Sequence, residues 1–169
     1  LDFKAKQLGI TTLLNDPPRQ EIEGEKGFLN LNTVLGADIV TIHTPLTFSG
    51  SYPTHYLLGS HNFDLITENT IVINAARGSI IDESLWENTI TKANIIDCWE
   101  QEPNINTKLQ SSAYWATPHI AGHSIDAKFM GSYMIYKDLC SFTKTPLKNE
   151  VEHLTNPPVV TINENTFHE

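Results

Sequence analysis

Residues 70–78 read TIVINAARG, and this stretch decides the predicted fold. A short apolar run, rich in β-branched residues, ends abruptly in a polar turn that carries an arginine and a glycine. Similar apolar runs occur elsewhere in the chain, at 10–14, 38–43, 94–98 and, less regularly, 114–117. Short continuous apolar strands separated by helical segments are typical of βαβ units, in which both faces of a parallel sheet are covered. The sequence therefore predicts an α/β fold with a doubly wound parallel sheet.

The segments between these runs predict short helices, at 29–35, 62–66 and 83–91. Residues 19–27 are polar and contain glycine, and they predict a loop. Residues 1–8 have the apolar spacing of the last two turns of a helix, which Gly9 ends. Because the beginning of that helix is not in the chain, we expect a domain that is incomplete at its N-terminus.

The pattern changes at Ser124, which can cap a helix with a broad apolar face made of Phe129, Met130, Tyr133, Met134 and Cys140. We expect this helix to end at about 143–146 and a polar tail to follow, in which residues 159–162 are compatible with one edge strand. The sequence thus predicts two parts, a sheet-bearing domain over 1–123 and a C-terminal helix and tail over 124–169.

Composition excludes several classes of protein. The chain has 169 residues and a formal net charge of −9, and an acidic chain without a basic stretch is a poor ligand for nucleic acid. No apolar run approaches the roughly 20 residues that a membrane-spanning helix needs. The two cysteines, Cys98 and Cys140, have neither metal-site nor disulfide spacing, and residues 1–8 do not resemble a signal peptide. We therefore expect a cytoplasmic protein with reduced thiols, no metal and no contact with membranes.

An arginine, a carboxylate and a histidine follow one another along the chain as Arg77, Glu102 and His119. Arg77 comes directly after a predicted strand, where a guanidinium can hold a carboxylate with two parallel hydrogen bonds. Pro118 restricts the backbone before His119, and a neighbouring carboxylate can orient an imidazole for proton transfer. Together these groups suit a reaction on a carboxylate substrate in which a proton moves.

Each of these assignments has an alternative. Arg77 can be a surface residue in an ion pair, and Glu100 competes with Glu102 because spacing alone does not choose between them. Six further histidines compete with His119, and His43 is the best of them because it closes a predicted strand; the others are His55, His61, His123, His153 and His168.

Two aspartates end predicted strands. In a doubly wound nucleotide-binding fold, an acid at the position of Asp16 accepts the adenosine ribose hydroxyls and favours NAD over NADP, although an Asp before two prolines is also a common turn residue. Asp97 lies among apolar residues and needs a polar partner, for which the nicotinamide carboxamide is a candidate. The Gly-x-Gly-x-x-Gly turn that holds a pyrophosphate does not occur in the chain.

Three strings carry a specific resemblance: NAARG at 74–78, DCWEQEP at 97–103 and TPHIAG at 117–122. Together they resemble the D-isomer-specific 2-hydroxyacid dehydrogenases, and the similarity covers about residues 1–140. The resemblance implies a Rossmann-like NAD-binding domain over 1–123, with residues 124–169 packing toward a substrate domain. It also implies a homodimer.

The resemblance implies a role for each matching residue. Arg77 would bind and polarise the 2-hydroxy acid, and His119 would take the hydroxyl proton while a hydride leaves for NAD. Glu102 would pair with His119 and favour its protonated form. The residues expected to contact NAD are Asp16, Thr44, Asp97 and Gly122. His123 stands where we expect a tyrosine that touches substrate, and Cys98 replaces a valine.

The leading expectation is therefore NAD-dependent oxidation of a small phosphorylated 2-hydroxy acid to its 2-oxo acid. One alternative is another dehydrogenase of this family, acting on 3-phosphoglycerate or on glyoxylate and hydroxypyruvate. Another is a non-catalytic NAD-binding module. The joint presence of Arg77, Glu102 and His119 argues against the last of these.

Overall fold

The computed structural model describes residues 1–24 and 27–148 of the chain. In chain order its elements are α1 (Asp2–Gln7), α2 (Pro17–Glu23), α3 (Leu31–Leu35), β1 (Ile39–Ile42), a 3-10 turn (Phe63–Leu65), β2 (Ile71–Asn74), α4 (Glu83–Trp86), β3 (Ala93–Ile96), α5 (Thr107–Ser112), β4 (Trp115–Ala116) and α6 (Ile125–Thr143). The chain divides into two compact units, Leu1–Ala121 and Gly122–Glu169.

The first unit is built on a parallel sheet with the strand order β1-β2-β3-β4. Ile39 pairs with Ile71, Ile71 pairs with Ala93, and Ile95 pairs with Trp115, so each strand lies beside its successor in the chain. This order confirms the predicted α/β fold with its parallel sheet. Because all four strands run the same way, the loops that follow them meet at one edge of the sheet, the carboxyl edge.

The core of this unit consists of apolar side chains from the strands and from the segments that connect them. Its fully buried members, less than 2% exposed, include Leu35, Leu58, Val72, Ile80, Ile81, Trp86, Ile96 and Leu109. Alternate residues of β2 and of β3 are buried, while those between them are half-buried. The near-continuous apolar character of these strands thus reflects a sheet whose two faces are both covered.

Residues 10–14 do not form the predicted first strand. Only Leu14 makes a bridge, to Phe28, and the Leu29 amide donates to its carbonyl at 2.8 Å. Ile10 and Leu13 are 50% and 42% exposed. An apolar run becomes a strand only when a neighbouring strand completes its hydrogen bonds, and the described residues supply such a partner at Leu14 alone.

The predicted loop over 19–27 was also wrong, because helix α2 occupies Pro17–Glu23. The Asp16 carboxylate accepts the Arg19 amide and caps this helix, and Pro17 stands at its first position, where the missing N–H costs nothing. Arg19 also forms an ion pair with Glu23 one turn later. Helix α5 was not predicted, and α4 is shorter than the predicted 83–91.

The second unit contains α6, which begins after Ser124 as predicted. The Ser124 hydroxyl accepts the Ala127 amide at 3.0 Å and caps the helix. Several apolar side chains of α6 are exposed, namely Met130, Met134, Ile135, Leu139 and Phe142, whereas Cys140 is buried. The suggested strand at 159–162 lies outside the described residues. No helix in the described part of the chain is long and apolar enough to cross a membrane.

Gly78 marks the closest approach between two loops of the carboxyl edge. A Cβ at this position would lie 2.0 Å from the Trp99 carbonyl oxygen and 2.8 Å from the Glu100 nitrogen. Both neighbours are backbone atoms, which cannot turn aside as a side chain can. The loop after β2 and the loop after β3 therefore touch only because residue 78 has no side chain.

Gly78→Ala is expected to lower the free energy of unfolding by about 1–3 kcal/mol or more, since overpacking at a site bounded by backbone forces the loops apart. The matched control is Gly36→Ala, where the added Cβ would meet nothing nearer than 3.5 Å. This control should stay within about 0.5 kcal/mol of wild type. Urea unfolding followed by tryptophan fluorescence measures both variants, and equal midpoints would show that the loop contact tolerates a methyl group.

Candidate active site

Four of the candidate site residues lie in loops at the carboxyl edge of the sheet. Thr44 follows β1, Arg77 follows β2, Glu102 follows β3, and His119 follows β4. Asn74, at the end of β2 and 2% exposed, connects two of these loops. Its amide nitrogen donates to the Arg77 carbonyl at 2.9 Å and lies 3.5 Å from the Cys98 carbonyl. The sheet thus brings together groups that are far apart in the sequence.

Asp97 holds the loop that carries His119. Its carboxylate, 5% exposed, accepts the Thr117 hydroxyl at 2.6 Å and the amides of Ile120 and Ala121 at 2.7 and 2.9 Å. Burial opposes its ionisation, but these hydrogen bonds and the His119 imidazole outweigh burial and hold the pKa of Asp97 below its ordinary value. Asp97 is therefore ionised at neutral pH and acts as the acceptor around which residues 117–121 are arranged.

His119 has an unusual backbone. Its φ angle is 56°, in the left-handed region, and its amide donates to the Asp97 carbonyl at 2.8 Å. A left-handed residue other than glycine costs roughly 1–2 kcal/mol. The hydrogen bonds between Asp97 and the residues on both sides of His119 hold it there. This geometry fixes the direction in which the imidazole leaves the chain.

The His119 ring lies against Glu102. Nδ1 is 2.9 Å from Oε2 and 3.2 Å from Oε1, and the Trp99 amide donates to Oε1 at 2.8 Å. Burial raises the pKa of Glu102, but the Trp99 amide and the imidazole outweigh burial and hold this pKa below its ordinary value. The ionised carboxylate can only accept, so Nδ1 carries the proton and Nε2 is left with a free lone pair.

Glu100, the competing carboxylate, points elsewhere. One of its oxygens accepts the Glu83 amide at 3.3 Å and the other lies 3.4 Å from the Tyr56 hydroxyl. Glu102 is therefore the carboxylate that the structure places on the histidine. His43, the next-best histidine, is exposed and its Nε2 lies 2.9 Å from the Thr41 hydroxyl.

Arg77 is exposed, and its Nη1 donates to the Ala76 carbonyl at 2.6 Å. Among the described residues, no carboxylate forms an ion pair with its guanidinium, so the alternative of a structural ion pair finds no support there. Its remaining donors stand at the carboxyl edge, where α/β sheets bind their ligands.

The residues expected to contact NAD differ in how far their polar groups are already engaged within the protein. Asp16 uses one carboxylate oxygen to cap α2, at 3.2 Å from the Arg19 nitrogen, and the second oxygen can still accept a ribose hydroxyl. Thr44 lies half-buried at the carboxyl edge. The Asp97 carboxylate is already engaged by Thr117, Ile120 and Ala121, partners that its sequence context does not reveal. The chain lacks the glycine turn for a pyrophosphate, and Gly122 and His123 belong to the second unit.

Two other kinds of site find no support. Burial, joined by the charge of Asp97, raises the pKa of the Cys98 thiol to about 11, so this thiol is not a nucleophile at neutral pH. Cys98 and Cys140 are both buried and unpaired as free thiols. Within the part of the chain that the structure describes, no three His, Cys, Asp or Glu side chains form a group that could hold a metal ion.

Comparison with known families gives a specific match. The family model for the D-isomer specific 2-hydroxyacid dehydrogenase, NAD binding domain, matches residues 2–121. The chain is similar to erythronate-4-phosphate dehydrogenase from Ruthia magnifica subsp. Calyptogena magnifica, with 58% identity over 90% of the chain and 44% of that protein. It is similar to the Hydrogenovibrio crunogenus protein of the same name, with 54% identity over 83% of the chain and 37% of that protein. The chain spans less than half the length of these curated relatives.

Solved structures support the same fold. A D-lactate dehydrogenase from Aquifex aeolicus, complexed with NAD and lactic acid, aligns with a TM-score of 0.60 at 21% identity, over 84% of this chain and 49% of that one. An NADPH-dependent glyoxylate/hydroxypyruvate reductase from Sinorhizobium meliloti aligns with a TM-score of 0.64 at 20% identity, over 85% of this chain and 46% of that one. At these identities the similarity concerns the fold alone.

Asp97→Asn is expected to lower the free energy of unfolding at pH 7 by about 1.5–3 kcal/mol, because an amide cannot replace a carboxylate that accepts three hydrogen bonds. Folding lowers the pKa of Asp97, so its contribution is complete above the unfolded-state value of about 3.9 and is lost as pH falls through the lower folded-state value. The stability gap should therefore be constant near neutrality and narrow below about pH 4.

Denaturant unfolding at a series of pH values measures this gap. The control is Asp38→Asn at an exposed aspartate, which should leave stability within about 0.5 kcal/mol of wild type. A gap for Asp97→Asn that stayed the same from pH 7 into the acid range would mean that the charge of Asp97 does not hold the loop.

Proposed function

Since the chain belongs to the D-isomer specific 2-hydroxyacid dehydrogenases, whose NAD-binding domain matches residues 2–121, we propose that its protein oxidises 4-phospho-D-erythronate to the 2-oxo acid in pyridoxal phosphate biosynthesis. The observation that carries the proposal is the contact of 2.9 Å between His119 Nδ1 and the Glu102 carboxylate. The substrate rests on the similarity to the two relatives named erythronate-4-phosphate dehydrogenase.

His119 is the acid–base group in this reaction. Its Nδ1 proton is held by Glu102, so the Nε2 lone pair is free to accept the C2 hydroxyl proton. The imidazole becomes positively charged as it does so, and the ionised Glu102 stabilises that charge. The C2–H bond breaks at the same carbon, so the hydroxyl carbon becomes the carbonyl carbon of the product.

Arg77 supplies the binding of the substrate. Its guanidinium is exposed next to the Gly78 contact, and it can hold the substrate carboxylate with two hydrogen bonds. A positive charge there also stabilises the negative charge that develops on the C2 oxygen as it loses its proton. The loop contacts between Gly78 and Trp99 keep this guanidinium close to the loop that carries Glu102.

NAD is the cofactor of the domain and supplies the acceptor for the hydride. We propose that Asp16 accepts its ribose hydroxyls and repels the 2′-phosphate of NADP, and that Thr44 makes a further contact with the cofactor. The spare carboxylate oxygen of Asp16 supports this role. His123 is the proposed substrate contact that differs from the expected tyrosine, and an imidazole and a phenol can both donate to a phosphate.

The larger assembly is also a proposal. We assign residues 1–123 to the dinucleotide-binding domain and 124–169 to a helix and tail that pack toward a substrate domain, and we propose a cytoplasmic homodimer. The compact unit Leu1–Ala121 supports the first boundary, and two free cysteines suit a reducing compartment.

A substrate panel on the full-length protein tests the activity. NAD reduction is followed by nicotinamide absorbance with 4-phospho-D-erythronate and 3-phosphoglycerate, and glyoxylate and hydroxypyruvate are tested in reverse with NADH. We expect the highest kcat/KM for 4-phospho-D-erythronate and a lower one when NADP replaces NAD. A higher kcat/KM for another acid would contradict the proposed substrate and assign that acid in its place. Saturable NAD binding without any turnover would indicate a non-catalytic module.

His119→Ala is expected to lower kcat/KM by about 10²–10⁴-fold at every pH, the usual contribution of a general acid–base group. Activity in the oxidation direction should rise with pH, because His119 must be neutral to accept the proton. Glu102→Gln should move this rise to lower pH, since the carboxylate that favours the imidazolium is gone.

The pH profile of kcat/KM measures both effects. The control is His43→Ala, which removes the next-best histidine and should leave the profile unchanged. A normal profile for His119→Ala together with a damaged one for His43→Ala would transfer the acid–base role to His43.

A further inference from the structure

Glu83 is a buried carboxyl that the mechanism above does not use. It is the first residue of α4 and is 5% exposed. Its Oε1 accepts the Glu100 amide at 2.7 Å, and its own amide lies 3.3 Å from Glu100 Oε1. Each of these two glutamates therefore accepts the backbone N–H of the other. We call this arrangement the Glu83–Glu100 clamp.

The clamp acts on the turn that presents Glu102. Within this turn the Trp99 amide donates to Glu102 Oε1 at 2.8 Å, and the next amide along the chain, that of Glu100, donates to Glu83. Gln101, which lies between Glu100 and Glu102 in the chain, has a φ angle of 52°, in the left-handed region. The two consecutive amides at the start of the turn thus have carboxylate acceptors, one from Glu102 itself and one from Glu83.

Packing alone does not explain a polar side chain at this buried position. Burial, followed by the charges of Glu100, Glu102 and Glu87, raises the pKa of Glu83 to about 7. The groups that face it are thus three carboxylates, and the Tyr56 hydroxyl stands on the far side of Glu100. An apolar side chain would fill the same space at a lower desolvation cost, but it would not accept the Glu100 amide.

We propose that Glu83 is a positioning residue for the dehydrogenase reaction: by accepting the Glu100 amide, it holds the 99–102 turn so that the Glu102 carboxylate stays on His119 Nδ1. The expected effect on kinetics rests on the proposed function. The expected effect on the 99–102 turn rests only on the geometry of the clamp. Glu83 acts through the turn and does not contact the substrate.

Substitutions of Glu83 should differ according to whether they keep an oxygen that accepts the Glu100 amide. Glu83→Gln keeps a carbonyl oxygen that can accept the Glu100 amide, so the turn should hold. Glu83→Met keeps the volume and the burial but removes the acceptor, so the turn is released and Glu102 loses its fixed orientation. Glu83→Asp keeps a carboxylate but shortens its reach by one methylene. It therefore serves as a second test if the Met variant does not fold.

The matched control is Asp82→Ala on the same helix. Asp82 caps α4 by accepting the Ser84 amide at 3.0 Å, and it does not contact the 99–102 turn by a hydrogen bond in the described part of the chain. Its loss should lower the melting temperature of the protein, as expected for a lost N-cap, and leave the chemistry unchanged.

The experiment measures kcat, KM and the pH profile of the full-length protein in oxidation of 4-phospho-D-erythronate. Glu83→Met is expected to lower kcat roughly 10-fold, a part of the 10²–10⁴-fold that a general acid–base group contributes, with KM within about two-fold. Its pH profile should move to lower pH, in the same direction as that of Glu102→Gln. Glu83→Gln and Asp82→Ala should keep the wild-type kcat.

A second measurement does not depend on activity. The Nδ1 proton of His119, held by Glu102, should give a low-field proton NMR signal in wild type, Glu83→Gln and Asp82→Ala, and this signal should be lost in Glu83→Met. If the wild-type protein oxidises no acid, the proposed function fails and this signal still tests the clamp. The positioning role of Glu83 is refuted if Glu83→Met keeps both the signal and the wild-type kcat. It is also refuted if kcat falls as far in Glu83→Gln as in Glu83→Met.

Discussion

The site depends on one buried charge, the Asp97 carboxylate. It stands at the end of β3 and accepts a hydroxyl and two amides from residues 117–121, and its own carbonyl accepts the His119 amide. Hydrogen bonds to an ionised group contribute about 1.5–3 kcal/mol each, more than the roughly 1–2 kcal/mol that a left-handed residue costs. His119 can therefore occupy a backbone conformation that its own side chain disfavours, and the imidazole then meets Glu102.

The parallel sheet provides the second constraint, because it decides which loops can meet. β2, β3 and β4 are consecutive neighbours, so the loops that bear Arg77, Glu102 and His119 lie side by side at one edge. Asn74 and Gly78 then join the first two loops, one with its amide and the other by having no side chain. Residues spread over 42 positions in the sequence thus lie in adjacent loops, because Arg77 follows β2 and His119 follows β4, on either side of β3.

Strands β2 and β3 were predictable because one face of each is buried and the other is half-buried, which leaves a continuous apolar run in the sequence. The runs at 38–43 and 70–74 contain the shorter strands β1 and β2. The run at 94–98 overlaps β3, which begins one residue earlier, at Ala93, and ends at Ile96. The run at 10–14 looks the same in the sequence, but strand formation also needs a neighbour, and the sequence of a strand does not reveal whether one is present. Helix α2 was missed because its signals are a capping Asp and two prolines, which also start turns.

Arg77 and His119 stood out in the sequence because each residue type has a chemistry of its own. The choice between Glu100 and Glu102 required the fold, because both carboxylates lie in the same short turn and only their hydrogen bonds distinguish them. Glu83 gave no signal at all, since its sequence context is that of an ordinary acidic residue in the first turn of a helix. Its partner, the Glu100 amide, is 17 positions away and becomes visible only when the turn folds.

Glu83 and Glu102 show how environment assigns different states to identical side chains. Both carboxyls accept a backbone amide from the same turn, but Glu102 also has the His119 imidazole beside it, whereas Glu83 has Glu100, Glu102 and Glu87 around it. Burial is the largest cause that raises the pKa of Glu83, to about 7, and the neighbouring carboxylates add to it. For Glu102, the Trp99 amide and the imidazole outweigh burial and lower the pKa. A second full negative charge beside Glu102 would be costly, so near neutral pH Glu83 is shared between its neutral and ionised forms. Both forms keep an oxygen that accepts the Glu100 amide. The turn can thus remain in place while the charge near the histidine stays low.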